Sequence, residues 1–133
     1  MTGYSGTPLE KKLGLRADQR VLLLNAPTDY DELFTEKPTT QPVAEGEKAD
    51  LIHWFVNEQA AFERLLPGLK ASLTPTGALW VSWYKKAAKR PTELTEDLIR
   101  AAALAIGLVD VKVCAVNELW SGLKLVIPVK SRR

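Results

Sequence analysis

Cysteine, methionine and histidine each occur once in the 133 residues. A lone cysteine, Cys114, excludes an intrachain disulfide. A lone histidine, His53, deprives a zinc-type centre of its usual second imidazole or thiolate, and no metal site is expected. No apolar run approaches the ~20 residues that cross a bilayer. The opening MTGYSGTPLEKK holds no hydrophobic segment of the signal-peptide kind, and a cytoplasmic protein is expected. Excess charge is lacking too: the net charge is +2, too small by itself to argue for nucleic acid. G-x-S-x-G, Walker-type and H-E-x-x-H patterns are absent, so the common nucleophile, phosphate and zinc motifs give no reaction.

What is present is an ordinary globular composition, 46% apolar and 26% charged, at the length of one domain. One domain over residues 1–133 is expected, with a short helical segment at 7–14 and an irregular loop at 36–49. Thr7-Pro8 reads as a cap followed by proline at the first helical position, and Gly14 as the stop. Five strands are predicted near 20–26, 50–56, 78–84, 109–117 and 122–129. The first three are short runs apolar on both faces, as buried parallel strands are. The last two flank a short turn and should pair antiparallel. Between them lie helical patterns. Asp29 to Thr35 offers two turns. Asn57 reads as the cap of a helix carrying Phe62, Leu65, Leu66, Leu69 and Leu73, which Pro67-Gly68 should kink. Thr95 caps another, with Glu96 and Asp97 at its positive end and Gly107 closing it. Alternating strands and helices mean an α/β domain with a mostly parallel sheet.

That closing pattern carries a resemblance. A parallel sheet ending in an antiparallel hairpin is similar to the S-adenosylmethionine-dependent methyltransferase fold. LLPGLKASLTPTGALWVSW resembles its helix, turn and strand, and VDVKVCAVNELWSGLKLVIPV its ending. The likeness implies a Rossmann-like three-layer domain whose five strands lie in the order first, second, third, fifth, fourth. The stretches GYSGTPLEKKLGL, VLLLNAP, GALWVSW and WSGLKLVIP also resemble an uncharacterised bacterial group, the domain-of-unknown-function family 3052, which brings no activity with it.

Two departures from the methyltransferase pattern stand out. The loop after the first strand is Asn25-Ala26-Pro27-Thr28, without the glycines that let backbone approach the cofactor. The second strand of that fold, which ends in an acidic residue holding the ribose, is not visible between Ala26 and Asp50. S-adenosylmethionine is therefore expected to bind weakly or not at all. The scaffold would be kept and the usual nucleotide site lost.

Ligands of open parallel sheets bind outside the carboxyl ends of the strands. The residues predicted to gather there are Asn25, Asn57, Lys85, Lys86, Asn117, Trp120 and Ser121, and they are the ligand-binding candidates. Trp120 falls in the predicted hairpin turn, so its ring either folds over an apolar patch or lines a site. As a lid it should be half-exposed and lean toward Asn25 or Lys85. His53, inside a strand, reads as a structural histidine, and Cys114, among valines, as a small core residue. Residues 85–90, KKAAKR, read as a solvated loop balancing the acidic stretch 29–50. The function expected is non-catalytic binding of a small ligand or a partner. The alternative is an enzyme acting on a small anionic substrate at the carboxyl edge, a divergent transferase. Weak nucleic-acid binding through KKAAKR and the Lys130–Arg133 tail ranks last.

Overall fold

The computed structural model describes residues 7–132. The apolar run beginning at Arg20 forms β1 (Arg20–Leu24), and ADLIHWF forms β3 (Ala49–Phe55). Between them lies β2 (Gln41–Pro42), a strand the sequence reading did not predict. The rest of the sheet is β4 (Leu73–Tyr84), β5 (Val109–Ala115) and β6 (Trp120–Val126). The helices are α1 (Leu9–Leu13), α2 (Gln59–Ser72) and α3 (Glu96–Ala105), with a 3-10 turn at Tyr30–Leu33.

The sheet has six strands in the order β2-β1-β3-β4-β6-β5, which corrects the five-stranded order expected. β2, β1, β3 and β4 run parallel; β6 is antiparallel to both β4 and β5. The sixth strand arises inside the presumed loop because Gln41 N–H donates to the Gln19 carbonyl (2.7 Å) and Val43 N–H to that of Val21 (3.0 Å). Two backbone bonds place it, with no apolar pattern to announce it.

Other boundaries moved for physical reasons. Pro67 lies inside α2, which runs unbroken over 14 residues. Pro67 is on the exposed side, where water can take up the carbonyl its missing N–H leaves unpaired. Thr74-Pro75-Thr76-Gly77 bulges out of β4 rather than preceding it. Ala49 pairs with Leu73 and Leu51 with Ala78, so β4 advances five residues while β3 advances two. The bulge is tight at Gly77, where a Cβ would come within 3.0 Å of the Asp50 carbonyl. Asn57 does not cap α2; Glu58 holds that position without a side-chain bond. Thr95 does cap α3, accepting the Leu98 N–H at 3.1 Å.

The sheet has two differently closed faces. One is covered by α2 and α3, which bury Phe62, Leu66, Leu69, Ile99 and Ala103 against Ile52, Trp54, Leu79 and Val81. Such large apolar side chains, fully buried, contribute ~1.5–3 kcal/mol each. The other face is covered by α1, Leu15 and the Tyr30–Leu33 turn, packed on Leu51, Phe55, Trp80 and Trp120. Trp80 lies against the neighbouring β6 so closely that Gly122 has no room to spare: a Cβ there would sit 3.2 Å from the indole. Its Nε1–H donates to the Leu13 carbonyl at 3.0 Å, fixing the end of α1 to the sheet.

Candidate functional site

The chain leaves β1 toward β2 on one side, and leaves β3 toward β4 on the other. The segment after β1 packs on the α1 face and the segment after β3, which is α2, on the opposite face. Their paths diverge at the carboxyl ends of β1 and β3, and by topology this switch point is where the ligand crevice of an open α/β sheet is expected.

Asn25 stands at the β1 side of that crevice, exposed, with φ 55°. This is the left-handed conformation that glycine usually supplies and that asparagine tolerates better than other side chains. The turn is then braced by Tyr30, whose N–H donates to the Pro27 carbonyl at 3.1 Å. Tyr30 is itself pinned beneath: its hydroxyl lies 3.0 Å from His53 Nδ1, and His53 Nε2 lies 2.8 Å from Ser82 Oγ. All three side chains are buried. Burial holds His53 down at about 3 and pushes the Tyr30 phenol up, so the chain of hydrogen bonds is neutral. Beyond the carboxyl end of β2, the Ala44 N–H donates to Glu47 Oε1 (2.6 Å), Gly46 adopts φ 92°, and Glu45 is exposed.

The remaining candidates divide into those the architecture engages and those it leaves open. Asn57 Oδ1 accepts the Tyr84 N–H at 2.9 Å, and its carbonyl accepts from Glu93 at 2.8 Å, so it ties β3 to β4. Asn117 Oδ1 accepts from both Leu119 and Trp120 N–H at 2.9 Å, building the hairpin turn. Lys85 N–H donates to the Leu119 carbonyl at 2.8 Å, which joins the exit of β4 to that turn. Ser121 is half-buried within β6, paired with Trp83 and Ala115. Lys86 is exposed. The structure thus gathers Asn57, Lys85, Asn117 and Trp120 around β4 and the hairpin, while Asn25 sits two strands away.

Trp120 is not a half-exposed lid. It opens β6 rather than lying in the turn, and it is 8% exposed. Its ring meets Phe55 edge-on (centroids 4.8 Å) and lies tilted on Tyr84 (4.3 Å). The pattern failed here because the hairpin turn is two residues earlier than predicted. A cavity of about 310 Å³ opens beside the turn, lined by Leu9, Lys12, Leu33, Thr35, Asn117 and Glu118. The contributions of α1 and the Tyr30–Leu33 turn to this cavity carried no signal in the sequence. Cys114 is half-buried and burial raises its thiol, as befits a packing residue. Among the described residues no group of three or more His, Cys, Asp or Glu is placed to hold a metal ion. None of their helices is long and apolar enough to cross a membrane.

No protein-family profile and no curated protein matches the sequence, so kinship with family 3052 is not confirmed. Solved structures do match. One is a SAM-dependent methyltransferase from Aquifex aeolicus, 15% identical, with TM-score 0.63 over 90% of this chain and 88% of that one. A precorrin-6y C5,15-methyltransferase from Geobacter metallireducens is 9% identical, with TM-score 0.61 over 90% and 86%. A glycopeptide N-methyltransferase solved with S-adenosylmethionine is 11% identical, with TM-score 0.56 over 90% and 86%.

These neighbours overturn the expectation that S-adenosylmethionine binds weakly or not at all: one is a SAM-dependent methyltransferase and another was solved with S-adenosylmethionine bound. Two features of the structure bear on that expectation, although the turn still holds no glycine and the strand beside β1 ends at Pro42 rather than at an acid. Asn25 reaches the left-handed conformation without glycine, and the missing strand is present as β2. At these identities the likeness is one of fold, and the chain is an α/β protein on a methyltransferase-like scaffold.

Proposed function

We propose that this chain binds a small adenosyl ligand of the S-adenosylmethionine class in the crevice between the carboxyl ends of β1 and β3. The observation that carries this reading is Asn25, left-handed and exposed at the point where the two chain paths diverge. Asn25, exposed there, is the residue available to contact a ligand. Glu45, just past β2, is the acidic group available to accept ribose hydroxyls. Bound S-adenosylmethionine supplies an electrophilic methyl group.

The residues favour binding over chemistry. His53, the one imidazole, is neutral, fully buried and hydrogen-bonded at both nitrogens, so it is unavailable as a general base. The second reading, a divergent transferase for a small anionic substrate, rests on the exposed Lys86 near the same edge and on the enzymes that share the fold. Nucleic-acid binding draws support from KKAAKR alone, and Arg90 of that segment lies against the Tyr84 ring (5.7 Å).

Titration calorimetry with S-adenosylmethionine and S-adenosylhomocysteine tests the proposal. Saturable binding is expected. Asn25→Val should weaken it about tenfold, because a β-branched residue resists the left-handed turn by ~1–2 kcal/mol. Asn25→Gly should retain it. Absence of saturable binding by either compound refutes the reading.

A further inference from the structure

A second cavity lies at the opposite end of the strands. It measures about 650 Å³ and is lined by the loop after α1, the start of β3, the bulge of β4 and one residue of β6, Lys124. That volume falls within the ~300–1,000 Å³ range of small-molecule sites.

Lys124 is out of keeping with its surroundings. β6 is an interior strand, between β4 and β5. Its neighbours in sequence, Leu123 and Leu125, are fully buried on the face covered by α2 and α3. Alternation therefore directs Lys124 to the other face, beside its register partner Trp80. The side chain is half-buried, and no carboxylate or hydrogen-bond acceptor among the described residues holds it. Its register partner on β5 is Lys112, a second cation. Like charges directly opposite on neighbouring strands repel. Lys112 is exposed and sends its own ammonium to the Lys12 carbonyl at 3.4 Å, which leaves the half-buried Lys124 ammonium, with no carboxylate partner among the described residues, as a ready anchor for an anion.

The acids of the cavity do not fill that role. Asp50 is engaged by the Arg20 N–H (2.9 Å), the Arg20 guanidinium (3.5 Å) and the Thr74 hydroxyl (3.2 Å). Asp18 is exposed on the loop, and Arg16, two residues earlier, adds a further cation with no side-chain partner among the described residues.

We propose that this amino-edge cavity is a second ligand site, taking a small molecule whose phosphate or carboxylate group is anchored on Lys124. It is separate from the β1–β3 crevice, at the other end of the strands.

Calorimetry with inorganic pyrophosphate and, separately, with citrate provides the test. Saturable binding of pyrophosphate alone assigns the phosphate class, of citrate alone the carboxylate class; binding of both assigns oxyanions generally. Lys124→Gln should weaken binding at least tenfold, and Arg64→Gln, on the exposed side of α2, should leave it unchanged. Without anion, Lys124→Gln should denature at the same or a higher midpoint, since no side-chain bond among the described residues is lost. Asn25→Val should leave pyrophosphate or citrate binding intact, so failure here and failure at the crevice are separable. The proposal is overturned if neither anion binds saturably, if Arg64→Gln is as harmful as Lys124→Gln, or if Lys124→Gln lowers the anion-free midpoint.

Discussion

The two faces of the sheet reach closure by different means. The α2–α3 face is closed by helices long enough to bring several aliphatic side chains each. Among the described residues, the other face has a five-residue helix and one 3-10 turn above it. There the packing is done by rings, and polar bonds fix their positions: Trp80 to the Leu13 carbonyl, Tyr30 to His53, His53 to Ser82. Where little helix is available, large side chains with one polar end do the work of a helix face, each placed by a single directed bond. The face nearest the proposed ligand turn is thus the one held by the fewest, most specific contacts.

The largest test of that contrast removes the rings. Trp80→Ala and Trp120→Ala should each cost ~3–5 kcal/mol, because both side chains are buried and leave cavities. Urea denaturation reads both. A loss near 1 kcal/mol at Trp120 would return that ring to the surface and sever it from the core.

The second test uses pH. His53 titrates at about 3 when folded against 6.5 for an ordinary histidine, so between those values the unfolded chain binds the extra proton. Stability should therefore fall as pH falls, by ~2 kcal/mol between pH 7 and pH 5. The same measurement on His53→Phe should show a much flatter dependence in that window, even if the variant is less stable throughout. An equal slope in both proteins would mean that the face is not held by a neutral histidine.

The smallest effect compares one tryptophan from each face. Trp54 is fully buried against Phe62, and its Nε1–H has no partner among the described residues. Trp54→Phe removes an unsatisfied donor along with volume; Trp80→Phe removes a donor that satisfies the Leu13 carbonyl. Trp80→Phe should be the costlier by ~1 kcal/mol, measured as the difference between the two denaturation free energies. Equal costs would erase the distinction between ring packing and ring anchoring.

Elements built on apolar runs were legible in the sequence. β1, β3, the core half of β4 and the hairpin announce themselves by burial on one or both faces, and Thr95 by its place before an amphipathic stripe. β2 was illegible because its two residues, Gln41 and Pro42, are exposed and owe their place to backbone bonds alone. The site was half legible. The carboxyl edge follows from strand order, and Asn25 lies there. Residue type does not say whether an asparagine side chain faces a ligand or its own backbone, and Asn57 and Asn117 do the latter. The absence of glycine in the turn did not reveal its conformation, which Asn25 reaches with a φ of 55°.

The short β2 and the irregular β5 have a consequence for how this molecule behaves in a crowd of its own kind. A sheet grows by recruiting another chain along an open edge, and each open edge here is spoiled for that purpose. On the β2 side an incoming strand would find two residues, one of them a proline with no hydrogen to offer. On the β5 side the ladder slips between Asp110 and Lys112, so a straight strand laid alongside would lose its register at Val111. Val111 and Val113 are exposed there, sticky enough to invite a neighbour, and the slip denies that neighbour a continuous row of bonds.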